Sequence, residues 1–309
     1  MKPILTFDYE LFFGPEAGDL QNTVLGPTEQ LLKLLNEYKS TSVFFVDASW
    51  LHWLSIHDNR SLKKIQCQLA EITKYGHTIE LHVHPHWQDA KLISGRIEFT
   101  TYENFRCCDL PENSSYLTDC TNILLETLSF TTQNTLTCFR AGGYCAYPHG
   151  ILFQTLYNLG IKRDSSFAPG AWNDQYPLKF DYRELQEFKP FDIELGDGVA
   201  IREVPIFTYR LSTVQRLYQK ALRVASEKHI SKIPGRGLVF NNSFTKKLRA
   251  TTKIATPDNT KYNELPNFEI LDFSPVLVGH PKNCNETTLK TLRQILTQYH
   301  GISNERFYE

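Results

Sequence analysis

The sequence predicts an α/β fold in which parallel strands form a sheet and helices pack outside it. Three observations carry that expectation. Short apolar runs alternate with helical stretches through residues 1–165. The helical stretches place apolar residues three and four apart, whereas the short runs alternate in the way of strands. Two of those strands end in carboxylates and imidazoles, the usual setting of chemistry at the carboxyl ends of parallel strands. A βαβα order of this kind needs crossover connections and therefore favours parallel pairing.

Taken in order, residues 3–8 (Pro3, Ile4, Leu5, Thr6, Phe7, Asp8) read as the first strand. A helix over 27–38 carries Leu31, Leu32, Leu34 and Leu35 at helical spacing, and Pro27 suits its first turn. Residues 42–47 form a second strand. A helix over 62–75 is stopped by Gly76, and a third strand over 78–84 is ended by Pro85. A helix over 115–129, a strand over 137–140, a helix over 148–159 and a strand over 161–164 continue the rhythm. The second half is less regular: a strand over 199–206, a helix over 214–227, a strand over 275–278 and a final helix over 285–299. That last helix places Leu289, Leu292, Ile295 and Leu296 on one face. Residues 230–274 are polar and are expected to hold substrate-contacting loops. No repeat, low-complexity tract or linker divides 1–309, so a single domain is expected.

The charge balance, 33 Lys+Arg against 34 Asp+Glu, leaves no electrostatic footprint for nucleic acid or an anionic membrane. A hydrophobic fraction of 41% with 20 Phe, 15 Tyr and 4 Trp is enough for a large core, which excludes disorder as the dominant state. Residues 1–10 read as a strand rather than a leader, and no run of about 18 apolar residues suggests a span. The seven cysteines are odd in number and include no CxxC pair, which fits reduced thiols. A cytoplasmic location is the expectation.

Strand alternation locates the chemistry. Thr6, Asp8 and Glu10 share one face of the first strand, opposite Leu5, Phe7 and Tyr9. Glu80, His82 and His84 share one face of the third, opposite Ile79, Leu81 and Val83. Charged groups that face inward need partners or a metal. Three of the ten histidines, His82, His84 and His86, fall within five residues, and such a cluster beside carboxylates suggests zinc or a harder divalent ion. Spacing alone does not choose two ligands from the three.

At these residues the sequence resembles the polysaccharide deacetylases, the NodB-homology superfamily of carbohydrate esterases. Matches occur in the family's order along nearly the whole chain. Thr6-Phe7-Asp8-Tyr9-Glu10 stands where the family has Thr-Phe-Asp-Asp, and Gly76-His77 with His82 and His86 resembles its Gly-His followed by two metal histidines four apart. Phe139-Arg140-Ala141-Gly142-Gly143-Tyr144 resembles the arginine motif, Asp164 the fourth-motif aspartate, and Leu277-Val278-Gly279-His280 the closing Leu-x-His. The resemblance implies a distorted (β/α) barrel and a metal, zinc first, held by an acidic residue, His82 and His86. It also implies hydrolysis of an N- or O-acetyl group on a carbohydrate, expected to be an intracellular precursor of a surface polysaccharide. In that scheme Asp8 takes the proton of water, His280 protonates the leaving group, Arg140 orients Asp8 and Asp164 orients His280.

Two departures qualify the resemblance. Tyr9 stands where most members have a second aspartate, and Glu10, on the Asp8 face, is the nearest replacement as metal ligand; Asp47 at the next strand's end is the alternative carboxylate. Gly142-Gly143-Tyr144 replaces the usual Pro-Tyr. Competing readings are a metal-dependent amidohydrolase or phosphoesterase built on His82-Val83-His84, which needs further histidines such as His149, His229 or His280, and a non-catalytic binding protein with a decayed site. Asp164 also has a purely local alternative, capping the segment that begins at Ser165 and Ser166.

Overall fold

The computed structural model describes residues 1–12, 19–94, 96–99, 105–112, 114–174, 176–210 and 252–309. β1 (Ile4–Tyr9) is buried along its whole length. α1 (Gly26–Glu37) follows, with Pro27 in its first turn and Leu31, Leu32, Leu34 and Leu35 buried. β2 (Val43–Asp47) runs without a loop into α2 (Ala48–His57), because the Asp47 side chain accepts the backbone N–H groups of Ser49 and Trp50 and caps the helix. α2 is apolar on nearly every side, so it has no amphipathic period for a sequence reading to detect.

α3 (Asn59–Lys74) starts three residues before the expected 62–75 helix, at the Asp58 cap on Ser61. Gly76 ends it with a φ of 81°, a conformation that favours glycine. There follow β3 (Thr78–Val83), the hairpin of β4 (Ala90–Ile93) and β5 (Arg96–Phe99), α4 (Tyr116–Leu128), β6 (Cys138–Ala141), α5 (Gly150–Asn158) and β7 (Arg163–Asp164). Next come β8 (Trp172–Asn173), β9 (Phe180–Asp181), β10 (Phe191–Gly196), β11 (Val199–Glu203) and β12 (Thr208–Arg210). β13 (Thr252–Ile254), β14 (Val276–Gly279) and α6 (Glu286–Gln298) complete the chain. The expected helix over 214–227 lies outside the described residues, as do His229 and residues 230–251.

The main sheet has the order β10-β11-β7-β6-β3-β2-β1-β14. All its neighbours are parallel except the β10–β11 pair. The strand expected over 199–206 stops pairing with β7 at Glu203, and the chain then crosses to the other edge. Ile206 bridges Val276 in parallel, and the Phe207 N–H donates to the Val276 carbonyl at 2.9 Å. That bridge curls the sheet on itself as a distorted (β/α) barrel with helices outside. Among the described residues, no helix is long and apolar enough to cross a membrane.

The barrel interior is layered. Ile4, Val43, Phe45, Cys138, Val204, Val276 and Phe307 form an apolar plug toward the amino ends of the strands. Glu80 lies at that end too, where its carboxylate accepts the N–H groups of Thr137 and Cys138 and the Tyr308 hydroxyl, each at 2.8 Å. Burial still pushes its carboxyl up to about 6. Above the plug, one residue pair further along each strand, the interior becomes polar. The opposite faces of the same strands, with Leu5, Phe7, Phe44, Val46, Leu81 and Val83, build the larger core against the helices.

Candidate functional site

Register decides which polar groups meet. β2 pairs Asp47 with His82 of β3, and β3 pairs His82 with Arg140 of β6, so these side chains stand in one row across the sheet. Thr6 and Asp8 of β1 project into the same space. Tyr9 points the other way: its hydroxyl donates to Gln68 Oε1 on α3 at 2.9 Å, well away from the row.

Arg140 is fully buried and spends its donors on fixed acceptors. Nη1 donates to Asp8 Oδ1 at 2.6 Å and to Thr6 Oγ1 at 2.9 Å, Nε to the Ser165 carbonyl at 2.8 Å, and Nη2 to Ser165 Oγ at 3.1 Å. Its guanidinium also lies 3.9 Å over the Phe45 ring. Burial opposes ionisation of Asp8, but the charges of Arg140, His82 and His280 outweigh it and hold the carboxyl below its usual range. Asp8 is thus a buried, oriented, ionised carboxylate.

Glu10, His82 and His84 form the group of potential metal ligands, with ligand atoms all within 4.8 Å of one another and all three residues buried. Glu10 Oε2 lies 2.5 Å from His84 Nε2 and 3.6 Å from His82 Nε2. Glu10 Oε2 and the Nε2 atoms of His82 and His84 thus converge on one another. His82 Nδ1 sits 2.8 Å from the Arg140 carbonyl, which fixes Nδ1 as the protonated nitrogen and leaves Nε2 as a bare donor. His84 keeps an extended backbone beyond β3, and its N–H donates to Ser49 Oγ at 3.0 Å. A Cβ on Gly142 would collide with the His84 ring at Nδ1, so glycine lets this ring approach. One carboxylate and two imidazoles, desolvated and converging, suit a divalent metal.

His86, expected as the second histidine ligand, is not in the Glu10–His82–His84 group; His84 stands beside Glu10 instead. Pro85 ends the extended backbone and starts a 3₁₀ turn over Pro85–Asp89. The His86 ring stacks on Phe105 at 4.7 Å, packs on Phe99 at 4.9 Å and meets the His84 ring edge-on at 5.2 Å. Burial, then the neighbouring His84, pushes its imidazole well below the usual range. Asp47, the alternative carboxylate, has both oxygens engaged: Oδ1 caps α2, and Oδ2 accepts the Trp87 indole N–H at 2.8 Å.

His280 follows β14 and brings its Nε2 to 3.6 Å from both Asp8 Oδ2 and Glu10 Oε1. Its Nδ1 lies 2.7 Å from Asp258 Oδ2, and its backbone N–H donates to Asp258 Oδ1 at 3.1 Å. Burial opposes the imidazolium, but Asp258, Asp8 and Glu10 together raise the imidazole above its ordinary value. The expectation that Asp164 orients His280 therefore fails; Asp258, a residue in the unassigned 230–274 stretch, takes that position. Asp164 accepts the Ser166 hydroxyl at 2.7 Å and the Ser166 N–H at 3.0 Å, the local cap, and stands beside Glu203 across the β7–β11 ladder.

Every cysteine is a free thiol. Cys145 is buried beside the Gly142–Tyr144 turn, its thiol directed at the Gly143 carbonyl at 3.3 Å and pushed up by burial to about 12. Such a thiol is inert at neutral pH.

No protein-family model matches the sequence, and no curated protein matches it. Among solved structures, the chain is similar to a candidate polysaccharide deacetylase from Mycobacterium smegmatis, at 16% identity over 96% of this chain and 82% of that one, with a TM-score of 0.49. It is similar to a family 4 carbohydrate esterase from Streptomyces lividans at 10% identity, over 98% of this chain and 91% of that one, TM-score 0.43. It is also similar to a CE4 family pseudoenzyme from Bacillus anthracis at 10% identity, over 98% of this chain and 63% of that one, TM-score 0.37. These are likenesses of fold, and the roles of individual residues rest on the geometry of the site itself.

Proposed function

We propose that the chain is a metal-dependent hydrolase that removes an N- or O-linked acetyl group from a carbohydrate. The observation that carries this reading is the convergence of three units at one end of the barrel: the Glu10–His82–His84 group, the Asp8–Arg140 pair and the His280–Asp258 pair, joined by the 3.6 Å approaches of His280 Nε2 to Asp8 and Glu10. Hydrolysis of an acetamide needs an activated carbonyl, a base for water and an acid for the amine. A divalent metal, zinc by donor type, supplies Lewis acidity to the carbonyl and to water when held by Glu10, His82 and His84. Asp8, ionised and fixed by Arg140, accepts the proton of the attacking water. His280, kept protonated by Asp258, donates from Nε2 to the departing nitrogen or oxygen.

The sequence motifs support a carbohydrate as substrate, and an intracellular precursor of a surface polysaccharide remains the favoured source. The amidohydrolase alternative loses the support of His149, which sits among Tyr147, Phe153 and Phe167 at the start of α5.

The test pairs metal affinity, read by chelator competition, with acetate release from a panel of N- and O-acetylated sugars. His82→Ala and His84→Ala are each expected to lower affinity by about two orders of magnitude, the scale of removing a ligand or its support. His86→Ala should leave affinity near wild type and lower thermal stability, since it empties a packed site. Loss of metal in His86→Ala alone would return the ligand set to the four-residue spacing. A metal-loaded wild type that releases no acetate from any sugar would sink the deacetylase reading.

A further inference from the structure

Lys282 lies outside every motif considered so far. It stands two residues after His280, in the 3₁₀ turn Pro281–Asn283 that follows β14. Its side chain is only 8% exposed, and Nζ lies 2.9 Å from Glu10 Oε1. The same ammonium donates to the Leu11 carbonyl at 3.1 Å and lies 5.4 Å over the Phe12 ring. A lysine is rarely this buried unless it is paired.

The two oxygens of Glu10 consequently face different groups. Oε2 looks toward the imidazoles of His82 and His84, whereas Oε1 is taken by Lys282 and faces His280 Nε2. We propose that Lys282 is a positioning residue: it holds Glu10 Oε1 so that only Oε2 is offered to the metal, and its charge keeps metal binding from becoming too tight. This inference rests on the metal reading above. A carboxylate free to turn offers both oxygens and can fill a position that water or substrate needs. A charge-assisted hydrogen bond to one oxygen opposes that.

The charge argument points the same way. Each central carboxylate already faces a cation or a protonatable imidazole: Asp8 faces Arg140, Glu10 faces Lys282 and Asp258 faces His280. A dication entering this group meets the Lys282 charge across a single carboxylate, and like charges at such range repel appreciably even at the effective dielectric of a protein. Removing the ammonium therefore frees Glu10 Oε1 and removes the repulsion together. Truncating a residue of the site should tighten metal binding.

The experiment uses the full chain stripped of metal by a chelator, with cobalt(II) as the probe. Affinity is read by chelator competition, and coordination by the intensity of the visible cobalt bands, which fall as the coordination number rises. Lys282→Met is expected to bind cobalt at least ~10-fold more tightly than wild type, with weaker visible bands. Lys282→Arg should keep affinity and spectrum close to wild type, because it restores both the charge and the donor. Lys282→Leu, likewise without donor or charge, replaces Lys282→Met in the test if that variant does not fold. Unchanged or weaker binding with an unchanged spectrum, in whichever neutral variant folds, overturns the proposal while leaving the metal reading intact. If wild type and the neutral variants all take up no cobalt, and His84→Ala changes nothing, the metal reading has failed and this inference fails with it.

Discussion

Asp8 and Asp164 are both buried aspartates on parallel strands of one sheet, and their carboxyls are shifted in opposite directions. Asp8 on β1 faces the guanidinium of Arg140 at 2.6 Å. Asp164 on β7 has the carboxyl of Glu203 as its cross-strand neighbour. Burial raises the proton affinity of both. At Asp8 the cation and two imidazoles reverse that effect and hold the carboxyl low. At Asp164 burial prevails over the lowering by Glu203 and by the bonds from Ser166, and at Glu203 burial and the neighbouring Asp164 together push the carboxyl well up. Residue type and depth are alike; the partner sets the charge, and the charge sets what each group can do. Asp8 is placed to take a proton, whereas the raised carboxyls of Asp164 and Glu203 face each other across the ladder between β7 and β11.

The sharpest way to break that comparison is to neutralise each member in turn. Asp8→Asn should lower the rate of acetate release by about two to four orders of magnitude, the scale for losing a general base, while metal affinity stays within a few-fold of wild type. Asp164→Asn should change the rate only a few-fold. Steady-state kinetics on one acetylated amino sugar, with metal content measured in parallel, separates the two. Comparable losses in both variants would mean that Asp164 belongs to the chemistry after all.

Next in size is the acid. Asp258→Asn removes the carboxylate that raises His280, so the imidazolium gives up its proton at a lower pH. The alkaline limb of the kcat/KM profile should therefore move to lower pH, and kcat should fall by roughly ten- to a hundredfold on amides, with less effect on esters whose leaving groups need no proton. An alkaline limb that stays in place would show that His280 is not the titrating acid.

Much of this site was legible before the structure, and the failures have physical causes. Alternation alone put Asp8 with Glu10, His82 with His84, and Tyr9 on the helix side. Arg140 reached Asp8 as the motif implied. The choice of His86 followed a spacing of four, whereas the strand period of two favours His84: the backbone stays extended through His84, and a turn begins at Pro85. Asp258 was missed because it lies in an irregular stretch 22 residues before His280, and no periodicity connects the two. Lys282 was missed for a similar reason, since a lysine after a proline normally reads as surface. α2 was missed because a helix buried on nearly all sides shows no amphipathic stripe, although Asp47 directly before it is a good cap. Periodic elements reveal themselves in one dimension; contacts made by irregular segments do not.

The smallest effect expected is also the cleanest test of the Asp164–Glu203 side of the comparison. Glu203 is fully buried, its Oε1 accepts the Phe167 N–H at 3.1 Å, and its carboxyl is raised well above the usual range. A raised folded-state value means that the stability it contributes is complete below the unfolded value of about 4.3 and is lost as pH rises through the folded value. Asp164, also raised, acts with the same sign. Wild type should therefore lose stability steadily from mildly acidic to alkaline pH on account of this pair. Glu203→Gln keeps an oxygen for Phe167 and offers an amide N–H to Asp164 that cannot be titrated away. The variant should melt near wild type at pH 5 and about 2–4 °C higher at pH 9, corresponding to roughly 1 kcal/mol in a chain of this size. Acetate release near neutrality should be unaffected, since Glu203 touches neither Asp8 nor the imidazoles. Melting curves that run parallel from pH 5 to 9, or a variant less stable than wild type at pH 9, would show that the pair is ionised in the folded state and that some cation balances it, and the contrast with Asp8 would then be one of distance from Arg140 rather than of charge.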